Sequence, residues 1–279
     1  MPLFENCLLA SDIDGTLVDN GYISPRNLAA IDFFRSEGGT FVLSTGRSAT
    51  ALGQVFAVLD KSVLGPCVVL NGGMIYDYNL EKIMYSTILS DASKEYTKTV
   101  KEKHSDIGIE VHSETNIYVL NQTAETEFHE DYELLSREYV MFDDIKDKIW
   151  NKVLYTCNDT HAREKLSETL GLLDDGQCFF VNTAVVVEGK HHLYYEQLPR
   201  GTTKAKGLGE LCKMLGIKSG GFFAIGDYYN DAEMLKEADV SSAPSDSPDE
   251  IKKLANFVGG SCRDGAVADF IEYLTKKRR

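Results

Sequence analysis

The stretch Cys7-Leu8-Leu9-Ala10-Ser11-Asp12-Ile13-Asp14-Gly15-Thr16-Leu17 decides how this chain is read. Its first five residues form a short apolar run, the pattern of a strand buried on both faces. Two carboxylates follow immediately, two positions apart, and Gly15 lets the backbone turn sharply. Ligands of open α/β sheets bind in the crevice beyond the carboxyl ends of the strands. Asp12 and Asp14 are expected in such a crevice, with Ile13 turned back into the core. Taken alone, an Asp-Ile-Asp-Gly turn also serves plain loop geometry, so its meaning depends on the rest of the chain.

Outward from this stretch, strands and helices alternate. Ser24-Pro25 starts a helix, with proline at the first helical position. Leu28, Ile31 and Phe34 are predicted to form its apolar face, and Gly38-Gly39 ends it. Residues 40–44 read as a second buried strand running into Thr45-Gly46-Arg47, with a helix predicted to about Leu59. Val68-Val69-Leu70 reads as a third strand, ending at Asn71-Gly72-Gly73. After Pro199 the alternation resumes. A helix over 202–215 carries Leu208, Leu211 and Leu215 on one side, and residues 222–225 form a strand running into Gly226-Asp227. Two further helices start near Ser247 and Asp264. From residue 86 the pattern differs: segments 107–111, 117–120, 152–157, 178–187 and 193–197 alternate as in a sheet with one wet face, and 161–170 is helical. All six histidines, at 104, 112, 129, 161, 191 and 192, fall here. The expected fold is α/β: a doubly wound, parallel-sheet, Rossmann-like core from residues 1–85 and 199–279, with an α+β domain inserted at 86–198.

The 279 residues carry 29 Lys+Arg against 43 Asp+Glu, a formal charge of −14. Such a surface repels a phosphate backbone and argues against a nucleic-acid partner. It also means that an anionic substrate needs a cation at its site. No run approaches the ~18 apolar residues of a membrane span, and the first residues lack the basic and apolar regions of a secretory signal. The six cysteines form no C-x-x-C pair and read as small buried hydrophobes of a reducing, cytoplasmic protein.

Gly226-Asp227-Tyr228-Tyr229-Asn230-Asp231 sets three oxygen-bearing side chains within five positions, just past an apolar strand. That donor set suits a hard divalent cation. Asn230-Asp231 also fits a helix N-cap, which leaves Asp227 unexplained. Thr45-Gly46-Arg47 offers a hydroxyl and backbone N–H groups at a predicted helix start, a phosphate-binding arrangement. Local spacing does not distinguish Lys204 from Lys206.

Together these segments resemble the haloacid dehalogenase (HAD) superfamily of aspartate-nucleophile phosphatases, in its Cof-type branch with a large α/β cap. Asp12-x-Asp14-Gly15-Thr16-Leu17 is similar to the first motif, Thr45-Gly46-Arg47 to the second, the segment Gly201-Thr202-Thr203-Lys204 to the one holding the family lysine, and Gly226-Asp227 through Asn230-Asp231 to the acidic fourth motif. Asn71-Gly72-Gly73 resembles the branch's Asn-Gly turn. The chain departs from the pattern at Tyr228, Ala205 and Ser245-Asp246-Ser247, positions that bear on substrate fit and loop shape.

The resemblance implies Mg²⁺-dependent phosphomonoester hydrolysis of a small phosphorylated metabolite, such as a sugar phosphate, through an aspartyl-phosphate. Asp12 would be the nucleophile and Asp14 the acid and base. Thr45 and Lys204 would hold the phosphoryl oxygens. Asp12, the Asp14 carbonyl, Asp227 and Asp231 would hold the metal, and Gly46, Arg47, Asn71 and Asn230 would border the substrate. Residues 86–198 would be the cap. A carboxylate attacking a phosphate needs such help: unit like charges ~4 Å apart repel by about 4 kcal/mol at an effective dielectric of ~20. The absence of histidine from the proposed core supports a carboxylate acid/base. The alternatives are a phosphomutase or phosphotransferase using the same nucleophile, and a non-catalytic phospho-aspartate switch.

Overall fold

In the computed structural model, the described residues are 2–56, 59, 65–133, 136–174, 176–187 and 189–279. They divide into two compact units. One comprises Met1–Arg47, Leu52–Tyr85 and Thr203–Arg279; the other comprises Ser48–Ala51 and Ser86–Thr202.

The first unit is built on β1 (Leu8–Ser11), β2 (Thr40–Leu43), β12 (Phe222–Ile225), β13 (Val240–Ala243) and β14 (Phe257–Val258). They form one sheet in the order β14-β13-β12-β1-β2, and every pairing is parallel. β1 is central, with β2 on one side and β12 on the other. The strand order therefore reverses at β1, the topological switch point where open sheets bind ligands. Leu8, Ala10, Val42, Ala224 and Ala243 pack on Leu208 and Leu211 of α7 (Lys204–Leu215) and on Met234 and Leu235 of α8 (Ala232–Glu237). Alternate strand residues, Leu9, Phe41 and Phe223, are equally buried and point to the other face. There α1 (Pro25–Ser36) packs on α10 (Ala266–Arg278), whose Arg278 guanidinium lies 5.2 Å from the Phe223 ring. Helices on both faces make this the expected α/β architecture.

Local details differ from the sequence reading for identifiable reasons. α1 starts after Ser24 with proline at N1, but its buried side chains are Asn27, Ile31 and Phe34. Asn27 displaces Leu28 because its Oδ1 accepts the Ala268 N–H at the start of α10 (2.9 Å). Leu215 closes α7 from the solvent side, 38% exposed. β3 (Cys67–Val69) does not extend the parallel sheet as a third strand. It turns back at Asn71-Gly72 and pairs antiparallel with β4 (Met74–Asp77), in a three-stranded sheet with β5 (Lys82–Ser86). A single parallel bridge, Ser44 to Val68, ties it to the core. After Arg47 the chain enters a 3₁₀ turn at Ala49–Leu52 and then α2 (Gly53–Phe56). Of the helix predicted to Leu59, residues 57 and 58 lie outside the described residues.

The second unit holds a six-stranded sheet in the order β10-β11-β9-β6-β7-β8. In chain order its elements are α3 (Asp91–Lys103), β6 (Gly108–Ser113), β7 (Asn116–Asn121), α4 (Ala124–Glu133), β8 (Glu138–Tyr139), α5 (Phe142–Ile145), β9 (Lys152–Cys157), α6 (Thr160–Leu173), β10 (Cys178–Val187) and β11 (Lys190–Pro199), with α9 (Asp249–Lys252) completing the first unit's helices. All pairings are antiparallel except β7 with β8. Ile109, Val111, Val153 and Tyr155 share a core with Val100 of α3, Leu166 and Leu170 of α6, and Trp150.

The opposite face, expected wet, is buried and polar. Glu110, His112, Lys152 and Glu196 are each under a tenth exposed. Such groups leave water at a cost unless paired. Glu110, Lys152 and Glu196 are paired, whereas both ring nitrogens of His112 are buried without a hydrogen-bond partner among the described residues. Lys152 Nζ lies 3.3 Å from Glu196 Oε2. Glu110 takes Arg137 Nη1 at 3.0 Å and His129 Nδ1 at 2.9 Å. Glu125 takes Lys190 Nζ at 2.7 Å and His192 Nδ1 at 2.6 Å. Through Glu125, His129 and the Phe128 ring stacked on His192, α4 is held to the sheet by polar pairs and ring contact.

Burial alone would lower the His129 pKa, but the Glu110 and Glu133 carboxylates beside it outweigh burial and raise it to about 9. The folded-state value exceeds the unfolded one, so this stabilisation is complete below about pH 6.5 and is lost as pH rises through about 9. Unfolding in urea, followed by the lone tryptophan, Trp150, should show stability falling across that window by on the order of 3 kcal/mol. His129→Gln should flatten the dependence. An equally steep pH profile in the variant would exclude His129 as its source.

Candidate active site

β1 and β12 are neighbours and parallel, so their C-terminal ends share one edge of the sheet. Asp12 is the first residue past β1, and its N–H donates to the Ile225 carbonyl at the end of β12 (3.0 Å). Asp227 follows two residues past β12. The register thus joins two carboxylates 215 positions apart, a separation read directly from their numbers. Asp231 enters from the turn that leads into α8. One carboxylate oxygen from each of Asp12, Asp227 and Asp231 lies within 4.8 Å of the others, the only such group of possible metal ligands among the described residues.

Lys204, at the first turn of α7, reaches into this group. Its Nζ lies 2.7 Å from Asp12 Oδ1 and 2.7 Å from Asp231 Oδ1, and its side chain is 1% exposed. Burial separates Lys204 from Lys206, which local spacing did not: Lys206 is exposed. Lys204 is placed by its neighbours: the Thr203 hydroxyl caps α7 by accepting the Lys206 N–H, and the Asn71-Gly72 turn presses against the Thr203 carbonyl. Gly72 has φ +95°, and a Cβ there would collide with that oxygen.

One buried ammonium faces three carboxylates. Burial and the neighbouring Asp231 push the Asp12 carboxyl well above the usual range, despite Lys204. The same two causes raise Asp227 to about 6. A cluster short of positive charge, built from hard oxygen donors, fits a divalent cation.

Asp231 does not cap α8 with its side chain. Its Oδ2 accepts the N–H groups of Asp227 (3.0 Å) and Tyr228 (3.1 Å) while Oδ1 takes Lys204. It therefore locks the loop and neutralises the lysine. Thr16, given no role by the sequence reading, donates from Oγ1 to Asp227 Oδ1 at 2.8 Å. A hydroxyl directly after the Asp-Gly turn was the available signal. Gly15 has φ +82°, and a Cβ there would lie 2.5 Å from Asp227 Oδ2.

The Asp14 carboxylate stands outside the carboxylate cluster. It is 53% exposed and held bidentately by Arg47, Nε to Oδ2 and Nη2 to Oδ1, both at 2.8 Å. Arg47, predicted to border the substrate, is placed here as the partner of Asp14. Thr45 is buried; its N–H donates to the Val68 carbonyl, its Oγ1 accepts the Arg47 N–H, and its carbonyl accepts the Asn71 N–H. Gly46 lies against the Asn71 amide, whose Oδ1 accepts from Asn230 Nδ2 at 3.2 Å. The loops after β1, β2, β3 and β12 are thus tied into one framework. The helix dipole expected behind Thr45-Gly46-Arg47 is reduced to a four-residue 3₁₀ turn.

Among the described residues, no helix is long and apolar enough to cross a membrane. Comparison with known proteins gives the family. The family model of haloacid dehalogenase-like hydrolases matches residues 9–271. A 5-amino-6-(5-phospho-D-ribitylamino)uracil phosphatase, YwtE, of Bacillus subtilis is 25% identical over 95% of this chain and 97% of its own length. Among solved structures, a haloacid dehalogenase-like hydrolase from Bacteroides thetaiotaomicron superposes with a TM-score of 0.81 at 23% identity, covering 96% of this chain and 99% of its own. A HAD subclass IIB sugar phosphatase superposes with a TM-score of 0.80 at 18% identity, covering 96% and 98%. Carboxylates gathered at the switch point of a doubly wound sheet, within a chain spanned by that family model, make this protein a member of the haloacid dehalogenase-like hydrolases.

Proposed function

We propose that the protein is a Mg²⁺-dependent phosphatase of a small phosphorylated metabolite, a sugar phosphate in class, working through an aspartyl-phosphate on Asp12. The observation that carries this reading is the convergence of Asp12, Asp227 and Asp231 around the buried Lys204 ammonium. The sugar phosphatase and the ribitylaminouracil phosphatase among the similar proteins support the substrate class.

Lys204 and the switch-point loops hold Asp12 in a fixed orientation. One Asp12 carboxylate oxygen attacks phosphorus, and the bond to the leaving oxygen breaks. Asp14 gives that oxygen a proton, then takes one from the water that attacks the acyl phosphate and frees inorganic phosphate. Arg47 orients Asp14 throughout. Thr45 and Lys204 face the phosphoryl oxygens as negative charge spreads over them. Asp12, the Asp14 carbonyl, Asp227 and Asp231 would hold a divalent cation, which would supply Lewis-acid stabilisation of the same charge. We assign residues 1–85 and 199–279 to the catalytic core and 86–198 to a cap that selects the leaving group. The six free thiols suit a cytoplasmic setting.

Chelation of divalent metal should stop phosphate release, and Mg²⁺ should restore it. Mg²⁺ at ~100 times its dissociation constant should also raise stability by about 2.7 kcal/mol, read as a thermal shift. Asp227→Asn should lose that shift. Full activity in excess chelator would rule out the metal site. Release of inorganic phosphate in water, with no acceptor added, separates a phosphatase from a phosphotransferase.

A further inference from the structure

Exposure rises steadily outward from the carboxylate cluster. Lys204 and Asp231 are deepest, Asp12 is nearly buried and Asp227 half-buried. Immediately beyond, Tyr228 and Tyr229 are each 55% exposed. Adjacent large aromatics with this much surface in water forgo a burial gain that tyrosine usually takes. Their rings contact each other, centroids 5.0 Å apart at 75°. The pair meets edge to face and is exposed directly after Asp227 in the chain.

Nothing in the loop's own architecture calls for aromatic side chains there. The turn is held through backbone and carboxylate: the Asp227 and Tyr228 N–H groups donate to Asp231 Oδ2, and the Asp231 N–H donates to the Tyr228 carbonyl. Asn230 is tied to Asn71. These bonds fix the stretch carrying both rings, so little ordering entropy remains to be lost when a ligand lands on them.

We propose that Tyr228 and Tyr229 form a stacking platform that selects leaving groups with a ring face, either the C–H face of a sugar ring or an aryl ring. This rests on the phosphatase reading. We take the leaving group to extend from Asp12 toward solvent; the two rings, which directly follow Asp227 in the chain and are exposed, are the large side chains on that loop to meet it. Stacking acts through the ring faces and not the hydroxyls.

The test compares the wild type, Tyr228→Ser, Tyr229→Ser, the double serine variant and Tyr228→Phe. Glucose 6-phosphate, phenyl phosphate and glycerol 3-phosphate serve as pyranose, aryl and acyclic probes. Phosphate release gives kcat/KM, and calorimetry gives affinity for the same three compounds. The double variant should lose about tenfold in kcat/KM and affinity for ring-bearing probes relative to glycerol 3-phosphate, while Tyr228→Phe keeps the preference. A loss confined to one ring-bearing probe identifies that ring class as the ligand. An unchanged ratio of ring-bearing to acyclic probes overturns the platform. No turnover of any probe by the wild type counts against the phosphatase reading, and the calorimetric ratio then decides the platform alone. No binding of any probe overturns both.

Discussion

Asp12→Asn removes phosphate release by a factor of about 10³ or more while the protein stays folded. The amide is close in size to the carboxylate, so the pocket between β1 and β12 keeps its shape. What disappears is the oxygen nucleophile, for which no nearby group substitutes: Asp231 is engaged by Lys204 and by two backbone N–H groups, and Asp227 by Thr16. Loss of a nucleophile typically costs this much because the remaining groups only bind and polarise. The variant also relieves charge crowding, since one of three neighbouring carboxylates becomes neutral. Its thermal stability without added metal should therefore match or exceed that of the wild type. Near-normal turnover would refute the nucleophile assignment, whereas unfolding would show that Asp12 is chiefly structural.

Lys204→Met should be the most destabilising of these substitutions. It removes the buried ammonium lying 2.7 Å from both Asp12 and Asp231. Breaking one side of a buried ion pair costs about 3–5 kcal/mol, because the partner charge stays behind. The pH dependence carries a definite sign. Asp12 and Asp227 are already raised by burial and by Asp231, Asp227 to about 6. A carboxyl whose folded pKa exceeds its unfolded value costs stability as pH rises from the unfolded value, 3.8, through the folded one. The loss caused by Lys204→Met should thus be larger at neutral pH than near pH 5, where the carboxyls recover protons. Urea unfolding at both values measures it. Activity should fall by about 10² or more, through loss of a phosphoryl-oxygen contact. Arginine should not rescue it, since its wider planar fork does not match two carboxylates closing on one ammonium. Equal stability at both pH values, with activity kept, would place Lys204 outside the site.

The strands and their carboxyl ends were legible because they depend on local pattern. Continuous apolar runs such as Leu8–Ser11 and Phe222–Ile225 announce a parallel sheet, and polar residues directly after such runs can only stand at its edge. That placed Asp12, Thr45 and Asp227 before any coordinates. The second unit's strands were legible too, but not the state of their second face. Alternation shows that Glu110 and His112 share a face; that Lys152 joins them follows from the β6–β9 register, and whether that face meets water depends on partners such as His129 and Arg137, whose distance in space no local pattern reports.

By itself, then, the sequence determined the sheet, the interruption of its chain and the edge where chemistry is concentrated, since each follows from the periodicity of neighbouring residues. Tertiary structure alone decided which lysine is buried, that Arg47 belongs to Asp14, and that Asp231 serves Lys204 and the loop rather than the helix it precedes. Those choices rest on charge pairing across as many as 192 positions. Electrostatic interaction falls with distance through space and is indifferent to distance along the chain, so only the folded molecule could make them.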